Sequence, residues 1–356
     1  MTRLLSTARL LKTLLASNFG RPGTPLKLSF AVTYRCNLSC SMCRIWAKPP
    51  LPELTLPEIR RFFSAATGPS WVGITGGEPF LRDDLPGVVE AVLDGCRGLR
   101  ALHFATNGTL RERIRPVVEL IRRRAPEVET VFTVSIDGPP DLHDRIRGRA
   151  GVWEAAVETF TMLKRMPGVK AQVGFTLSRD NVGRFRETFA ALKMAWPALV
   201  FDDINVNVFQ RSGFYYDNLD LPAPDTELLL DEVRGILAMD QEGWSVNNFL
   251  RRSYLSRVPE FLSTRRCPLP CQALSSTCFL DPYGDLYPCA VFQKRLVNVR
   301  DMTGDLAALW RSEPAQALAR ECRDLRCPSC WSPCDAFSAI GGSLPRVLKD
   351  SVLGAA

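Results

Sequence analysis

The chain has 356 residues, of which 46% are hydrophobic and 23% are charged, and its formal net charge is +7. These proportions exclude a disordered or fibrous protein, and the length favours one large domain with a smaller one attached. The basic residues are spread along helical stretches without interleaved aromatic residues, so no nucleic-acid partner is expected. Twelve cysteines against two histidines, in a chain too long for a small disulfide-rich secreted protein, indicate metal chemistry and a cytoplasmic location.

The first segment, residues 1–25, is predicted to form an amphipathic helix. Its apolar positions recur at helical spacing, along a stripe of Leu4, Ala8, Leu11 and Leu15. Basic residues interrupt the run, which excludes a signal peptide and a membrane span. Such a helix either packs on the protein itself or docks on a membrane or a lipid-like substrate, so peripheral membrane association stays open.

Residues 26–215 alternate β-rich runs with helical stretches, which is the pattern of a parallel sheet with crossover helices. Six strands are predicted, at residues 27–33, 71–75, 102–106, 131–136, 171–177 and 204–209. The predicted fold class is therefore α/β, a partial (β/α)6 TIM-like barrel. In such folds the working residues follow the carboxyl ends of the strands.

The remainder of the chain divides into three parts. Residues 216–266 are predicted to form a helical linker, and residues 267–340 a small, cysteine-rich α+β domain. Residues 341–356 are expected to be a tail, loose over its last dozen residues.

Three cysteines, Cys36, Cys40 and Cys43, form a C-x3-C-x2-C motif directly after the first predicted strand. A four-iron cluster takes one thiolate per iron, so three ligands leave one iron open. A structural zinc site needs a fourth ligand, and the neighbouring sequence supplies no further Cys or His. The motif therefore indicates a [4Fe-4S] cluster.

This motif, in this position, resembles that of the radical S-adenosylmethionine (SAM) superfamily, and the resemblance covers roughly residues 26–208. It implies that SAM chelates the open iron and that an electron from the reduced cluster cleaves it to a 5′-deoxyadenosyl radical. That radical takes a hydrogen atom from the substrate, so the cofactors carry the difficult chemistry. An electron donor such as flavodoxin or ferredoxin is expected as a partner.

The loops after the next strands resemble the SAM-binding loops of that family. The resemblance implies SAM contacts at Gly76, Gly77, Glu78, Pro79, Asn107, Ser135, Asp137 and Arg147. The two glycines are expected to let the backbone approach SAM, and the Glu78 carboxylate to accept hydrogen bonds from the SAM ammonium. Asn107 and Asp137 are equally compatible with turn formation, and Arg147 with a helix-surface charge. His103 is expected to be a core residue.

Eight cysteines lie in the last quarter of the chain: Cys267, Cys271, Cys278, Cys289, Cys322, Cys327, Cys330 and Cys334. The region resembles the SPASM or twitch domain of radical SAM enzymes, which implies at least one auxiliary [4Fe-4S] cluster. Its ligand candidates are Cys271, Cys289, Cys327, Cys330 and Cys334. The final spacings depart from the full SPASM pattern, so two clusters or a zinc site remain alternatives, with Cys267, Cys278 and Cys322 as second-site ligands or inert thiols.

We therefore expect a radical SAM oxidoreductase or transferase whose auxiliary cluster assists oxidation or bond formation. The apolar first segment favours a small-molecule substrate such as a sugar, an alcohol or a lipid precursor. The alternative is a maturase that modifies a ribosomally made peptide or protein. A non-catalytic electron carrier is disfavoured, because it would need four cysteines at each cluster and no SAM loops. Asp202, Asp203, Asn205 and Asn207 are candidates to face the substrate.

Overall fold

The computed structural model describes residues 22–240, 243 and 245–352. The helix predicted within residues 1–25, with its proposed membrane contact, therefore lies almost entirely outside the described residues. No helix of the described part of the chain is both long enough and apolar enough to cross a membrane.

The centre of the fold is one sheet, which has nine strands in the described residues. Their order across the sheet is β6-β5-β4-β3-β2-β1-β7-β8-β9, and β1 to β7 pair in parallel. The strands are β1 (Lys27–Thr33), β2 (Trp71–Gly76), β3 (Ala101–Thr106), β4 (Glu129–Ser135), β5 (Val169–Leu177), β6 (Ile204–Val208), β7 (Thr277–Leu280), β8 (Asp285–Tyr287) and β9 (Val297–Asn298). The six predicted strands are confirmed, each boundary to within two residues.

Helices connect the parallel strands and then continue toward the C-terminus. They are α1 (Leu56–Ala65), α2 (Leu85–Gly95), α3 (Arg111–Arg124), α4 (Pro140–Arg147), α5 (Val152–Arg165), α6 (Phe185–Ala195), α7 (Thr226–Met239), α8 (Val246–Leu255), α9 (Val258–Thr264), α10 (Leu306–Arg311), α11 (Glu313–Arg323), α12 (Pro333–Gly341) and α13 (Leu344–Val352). Crossover helices follow β1 to β5, as a partial α/β barrel requires. The predicted fold class is confirmed.

The two faces of the sheet differ in polarity because side chains alternate along each strand. One face carries large apolar side chains such as Phe30, Ile74, Phe104 and Phe132, which are fully buried in the main core. The other face, called the inner face here, carries mainly smaller and polar residues on β1 to β6, and the aromatic Phe279 on β7. The helices thus pack on one side and leave a polar inner side to the parallel strands.

The cysteine-rich region continues this same sheet. Strand β7 pairs with β1 in register, with Lys27 opposite Thr277, and β8 and β9 add antiparallel strands beyond it. The turn between β7 and β8 uses Gly284, whose φ of 90° favours glycine. The residues that follow the first strand and those of the C-terminal region are therefore neighbours in space.

The expectation of a loose tail after residue 344 is wrong for the described residues. Helix α13 covers most of this segment, and Val347 on it is fully buried. Asp350 of the same helix pairs with Arg257 at 2.8 Å. One buried apolar side chain and one partly buried ion pair hold the segment to the body of the protein.

Candidate cluster site

The three cysteines of the C-x3-C-x2-C motif lie on one loop after β1, and each is half-buried. The backbone N–H of Ser41 on this loop donates to the carbonyl of Ile146 in α4 over 2.8 Å. The Asn37 amide donates to Thr109 after β3 over 2.9 Å. The loop is therefore fixed against the residues that follow β3 and β4.

The thiols of this loop lie close to one another in a partly desolvated place. Burial raises the pKa of Cys36 to about 11, and the proximity of Cys40 adds to the shift. Burial raises the pKa of Cys43 to about 12, and the proximity of Cys40 and Cys36 adds to the shift. These two thiols are neutral at pH 7 until a metal displaces their protons. Three clustered sulfur donors fit a [4Fe-4S] cluster with one iron left for another ligand.

Arg147 connects the cysteine loop to the loop after β4. Its Nη2 forms a very short ion pair with the buried carboxylate of Asp137, and its Nη1 donates to the sulfur of Cys40 over 3.7 Å. The residue after it, Gly148, has a φ of 72°, and a side chain there would collide with Ser39. Arg147 and Gly148 therefore pack directly on the cysteine loop, and the alternative of a surface charge is wrong for Arg147.

Asp137 is fully buried and held from several sides. Its carboxylate accepts a bond from the backbone of Thr176 over 2.8 Å, and its own N–H donates to Nδ1 of His143 over 2.9 Å. Burial, with the adjacent Arg147 charge, lowers the pKa of His143 to about 2, so this imidazole stays neutral. Asp137 positions Arg147, and its carboxylate is not accessible to a bound molecule.

The glycines of the Gly-Gly-Glu-Pro loop bring it against the cysteine loop. A Cβ on Gly76, whose φ is 138°, would lie 2.1 Å from the carbonyl oxygen of Thr33, and one on Gly77 would lie 2.2 Å from that of Arg35. The Gly77 N–H donates to the Thr33 carbonyl over 2.8 Å. The close approach that the glycines allow is therefore to the backbone around the cysteine motif.

Glu78 of this loop has a different role from the one expected. Its carboxylate is fully buried and accepts bonds from the hydroxyl of Thr106 at 2.9 Å and from the backbone N–H groups of Asn107 at 2.7 Å and Phe80 at 3.2 Å. Burial raises the pKa of Glu78 to about 7, although these hydrogen bonds oppose the shift. The carboxylate thus accepts three internal hydrogen bonds, and the expected bond from the SAM ammonium stays a prediction. Pro79, also buried, begins the turn that follows.

Asn107 and Ser135 end their strands on the same side of the sheet. The Asn107 amide donates to Asn37 of the cysteine loop over 2.9 Å, and its oxygen accepts from the Thr109 backbone over 3.0 Å. Asn107 therefore forms the turn and also fixes the cysteine loop. Ser135 is half-buried at the end of β4, and its side chain has no hydrogen-bond partner within the described residues. Of these two, Ser135 is the one free to contact a ligand.

An aromatic cluster beside the cysteine loop was not anticipated from the sequence. It contains Tyr34, Phe214, Tyr215, Phe279 and Tyr287, and Cys36 and Cys43 pack against it. The Tyr215 hydroxyl lies 3.0 Å from the Thr75 hydroxyl and donates to the Gly76 carbonyl over 3.3 Å. The consecutive aromatic residues 214–216 were the available signal, but their position after β6 gave no reason to place them here.

The four polar candidates near β6 separate into two pairs. Asp203 pairs with Lys164 at 2.8 Å, and Asp202 accepts from Ser245 at 2.7 Å, so both are bound within the protein. Asn205 and Asn207 lie on the inner face, where they donate to Gln172 at 2.8 Å and Thr176 at 3.4 Å. Of the four candidates, only Asn205 and Asn207 therefore lie where a substrate contact was expected.

Six of the eight C-terminal cysteines line one cavity: Cys267, Cys271, Cys289, Cys322, Cys327 and Cys330. Apart from the carboxyl group of Asp335 and one serine, the remaining lining is largely apolar. Burial, then the charge of Cys289, raises the pKa of Cys271 well above its usual range. More thiols than one four-iron cluster needs surround this space, so the donor set fits an auxiliary cluster.

Two of the eight cysteines stand apart from this cavity. Cys278 is buried in β7, and Cys334 at the start of α12 is exposed. Cys334 does not line the cavity, although the sequence made it a ligand candidate, whereas Cys267 and Cys322 do. The helix that begins at residue 333 turns the next side chain, Asp335, toward the cavity instead.

Two family models match the chain. The model described as the radical SAM superfamily matches residues 30–189, and SPASM, described as an iron–sulfur cluster-binding domain, matches residues 271–335. Residues 30–189 therefore form a radical SAM domain, and residues 271–335 form a SPASM domain. The expected cofactors are thereby confirmed: a [4Fe-4S] cluster that binds SAM in the radical SAM domain, and auxiliary iron–sulfur binding in the SPASM domain.

Relatives of this radical SAM protein include enzymes of two kinds. It is 26% identical to the mycofactocin maturase MftC of Mycolicibacterium smegmatis, over 89% of this chain and 77% of that one. It is 25% identical to the AdoMet-dependent heme synthase of Nitratidesulfovibrio vulgaris, over 91% of this chain and 88% of that one. The crystal structure of Streptococcus suis SuiB bound to precursor peptide SuiA shares the fold, with a TM-score of 0.60, 16% identity and coverage of 88% and 70%.

Proposed function

We propose that this radical SAM enzyme is a maturase that oxidatively modifies a peptide or protein. When bound, the SAM cluster supplies a radical that takes a hydrogen atom, and the auxiliary cluster supplies an acceptor for the electron left on the substrate. The product would lack two hydrogen atoms, one removed with its electron and the other lost as a proton. Arg147, Asp137 and Glu78 would keep the SAM-binding loops in place.

The observation that carries the proposal is the lining of the inner face. At the level of the strand ends and below, this face presents hydroxyl and carboxamide groups, from Thr75, Thr133, Thr176, Asn205 and Asn207. Neutral donors and acceptors of this kind match the alternating N–H and C=O groups of a peptide chain. A lipid precursor would instead require an apolar wall.

The similarities to known proteins also support the maturase hypothesis. One relative is named a maturase, and a protein of the same fold has been crystallised with its precursor peptide. The small-molecule reading rested on the first segment of the chain, which lies outside the described residues. Small-molecule modification is nevertheless a second candidate function, because the similarity to the heme synthase covers nearly the whole of both chains.

The proposal is tested with the anaerobically reconstituted protein, SAM and dithionite. One set of reactions receives synthetic peptides that correspond to short reading frames beside the gene, and a matched set receives a peptide-free small-molecule extract. We expect a peptide to stimulate 5′-deoxyadenosine formation and to lose two hydrogen atoms by mass spectrometry. Stimulation by the small-molecule set alone would overturn the maturase proposal and favour the second candidate.

A further inference from the structure

A layer of polar side chains crosses the inner face below the strand-end loops. The register places Ser29 of β1 beside Gly73 of β2, and Gly73 beside His103 of β3. Across the next strands, Thr133 of β4 lies beside Gln172 of β5. These positions alternate with the buried apolar residues of the core, so their side chains share the inner face.

His103 is the most chemically distinctive member of this layer. Its Nε2 lies 2.8 Å from the hydroxyl of Thr133, and its Nδ1 has no hydrogen-bond partner among the described residues. Burial, with the charge of Lys27, lowers the pKa of His103 to about 4, so the ring is neutral at pH 7. His103 was expected to be a core residue with its polar atoms satisfied; β3 places it on the inner face, where Thr133 satisfies one of its two ring nitrogens.

Beside this ring there is room for a methyl group, because residue 73 is a glycine. A Cβ added there would meet nothing nearer than the Ser29 hydroxyl at 3.9 Å and Nδ1 of His103 at 4.0 Å. This differs from Gly76 on the same strand, where the added atom would collide with backbone at 2.1 Å. The missing side chain at residue 73 is therefore not required by the packing of the fold, and it leaves room next to His103.

A pair of carboxamides continues the layer on the far side of Thr133. Asn205 donates to the side-chain oxygen of Gln172 over 2.8 Å, and the other polar atom of each amide is buried without a partner. If both amides are rotated, the bond reverses, and one donor and one acceptor still remain. The pair therefore offers one unpartnered amide nitrogen and one unpartnered carbonyl oxygen, whichever assignment holds.

Charge does not favour an ionic ligand here. The Lys27 ammonium, the cation that influences His103, donates to the Cys334 carbonyl over 2.5 Å and lies 4.9 Å from the centre of the Trp71 ring. A ligand for this layer would thus meet neutral groups: an imidazole, hydroxyls and one donor and acceptor from the amide pair. A neutral amide offers both an N–H and a C=O and suits such a lining.

We propose that His103, with Gly73 and the Gln172–Asn205 pair, forms a subsite that binds a neutral amide group of the substrate. This inference rests on the proposed peptide-modifying function and names the group that the inner face recognises. The amide comes either from an extended stretch of substrate backbone or from an Asn or Gln side chain of the substrate. Gly73 provides the space, and His103 provides the hydrogen bond.

The test uses small probes of matched shape against the reconstituted protein, with binding followed by saturation-transfer NMR. N-methylacetamide stands for a backbone amide, acetamide for a side-chain carboxamide, methyl acetate for the same shape without a donor, and acetate for an anion. We expect an amide signal several-fold stronger than that of methyl acetate or acetate, and the stronger of the two amides identifies the source. His103→Phe and the graded pair Gly73→Ala and Gly73→Val should weaken it, the valine more than the alanine.

The matched control is Gly235→Ala, which adds the same methyl group on α7 where nothing lies within 4 Å, and which should leave the amide signal unchanged. Iron content of each variant reports whether it has folded. An amide signal that persists in Gly73→Val, or acetate binding as well as the amides, would overturn the subsite. If peptides are modified but the amide signal is the same in these variants as in the wild type, only the subsite proposal is refuted. If the amide signal behaves as expected and no peptide is modified, the peptide proposal alone fails.

Discussion

Arg147 donates from Nη1 to the sulfur of Cys40 over 3.7 Å while its Nη2 is paired with Asp137. A guanidinium thus lies against a cluster-loop sulfur, with a buried carboxylate fixing its direction. A positive charge near a cluster stabilises the reduced form, which carries one more negative charge. We therefore expect this contact to raise the midpoint potential of the cluster that the loop would hold.

Replacement of Arg147 by Met should lower the midpoint potential of the SAM cluster while the cysteine ligands remain. For a one-electron couple, a fall of about 59 mV corresponds to a tenfold decrease in the equilibrium constant for reduction of the cluster. The measurement is an EPR-monitored redox titration. Since the single variant also leaves Asp137 buried without its partner, the double variant Arg147→Met with Asp137→Asn is the control. An unchanged potential in both would contradict the role of this contact.

Gly77→Ala should destabilise the SAM loop, because its Cβ would lie 2.2 Å from the Arg35 carbonyl oxygen. Overpacking of this kind costs typically about 1–3 kcal/mol. We expect weaker SAM binding and slower 5′-deoxyadenosine formation, together with a lower melting temperature. Gly98→Ala, where nothing lies within 4 Å, is the matched control and should resemble the wild type. Equal activity of the two variants would show that the approach at Gly77 is not needed.

Glu78 predicts a specific pH dependence of stability. Its pKa is about 7 in the folded protein against 4.5 for the free group, so the folded state holds more protons between these values. The free energy of unfolding should therefore fall as pH rises through that window, by about 3 kcal/mol from this group. Glu78→Gln should remove this part of the slope in urea unfolding of the metal-free protein. Other titrating groups contribute to both proteins, so only the difference counts, and equal slopes would refute the assignment.

The six-cysteine cavity predicts which thiols hold the auxiliary cluster. Cys289→Ala should lose about four irons per chain, whereas Cys334→Ala should keep the full iron content because Cys334 does not line the cavity. Iron and sulfide analysis with EPR of the reduced proteins measures both. Cys96→Ala, which removes a buried thiol directly after α2, controls for the loss of a cysteine as such. An iron loss in Cys334→Ala equal to that in Cys289→Ala would restore Cys334 as a ligand.

The arrangement of the barrel was predictable because two signals agree along the chain. Periodicity gave strand positions such as 27–33, and the unusual residues collected directly after those strands. Parallel strands bring their carboxyl ends to one edge, so the contacts between Asn37, Asn107 and Arg147 and their neighbouring loops follow from topology.

The hydrogen-bond partners and orientations of individual side chains were harder to predict. The sequence shows that Glu78 follows a strand, but not that Thr106 and two backbone N–H groups consume its carboxylate. His103 shows the same limit, because a short strand does not reveal which of its faces meets the core. The position of Tyr215 depends on the return of the chain after β6, which no local pattern encodes.

The cysteine-rich region shows a further limit. Spacing identified the residues but not their direction. Asp335, which lines the cavity, and Cys334, which does not, are consecutive residues of α12, whose side chains point about 100° apart around the helix. The helix after residue 344 was missed because Pro345 and charged residues mask one buried valine.

The most direct test of radical SAM catalysis is 5′-deoxyadenosine formation from SAM with dithionite after anaerobic reconstitution. The wild type is compared with the triple variant Cys36→Ala, Cys40→Ala, Cys43→Ala, and iron is counted in both. We expect the wild type to form 5′-deoxyadenosine and the triple variant to form none while it loses about four irons and keeps those of the auxiliary site. A wild type that holds the cluster but cleaves no SAM, with or without a peptide substrate, would contradict the proposed chemistry.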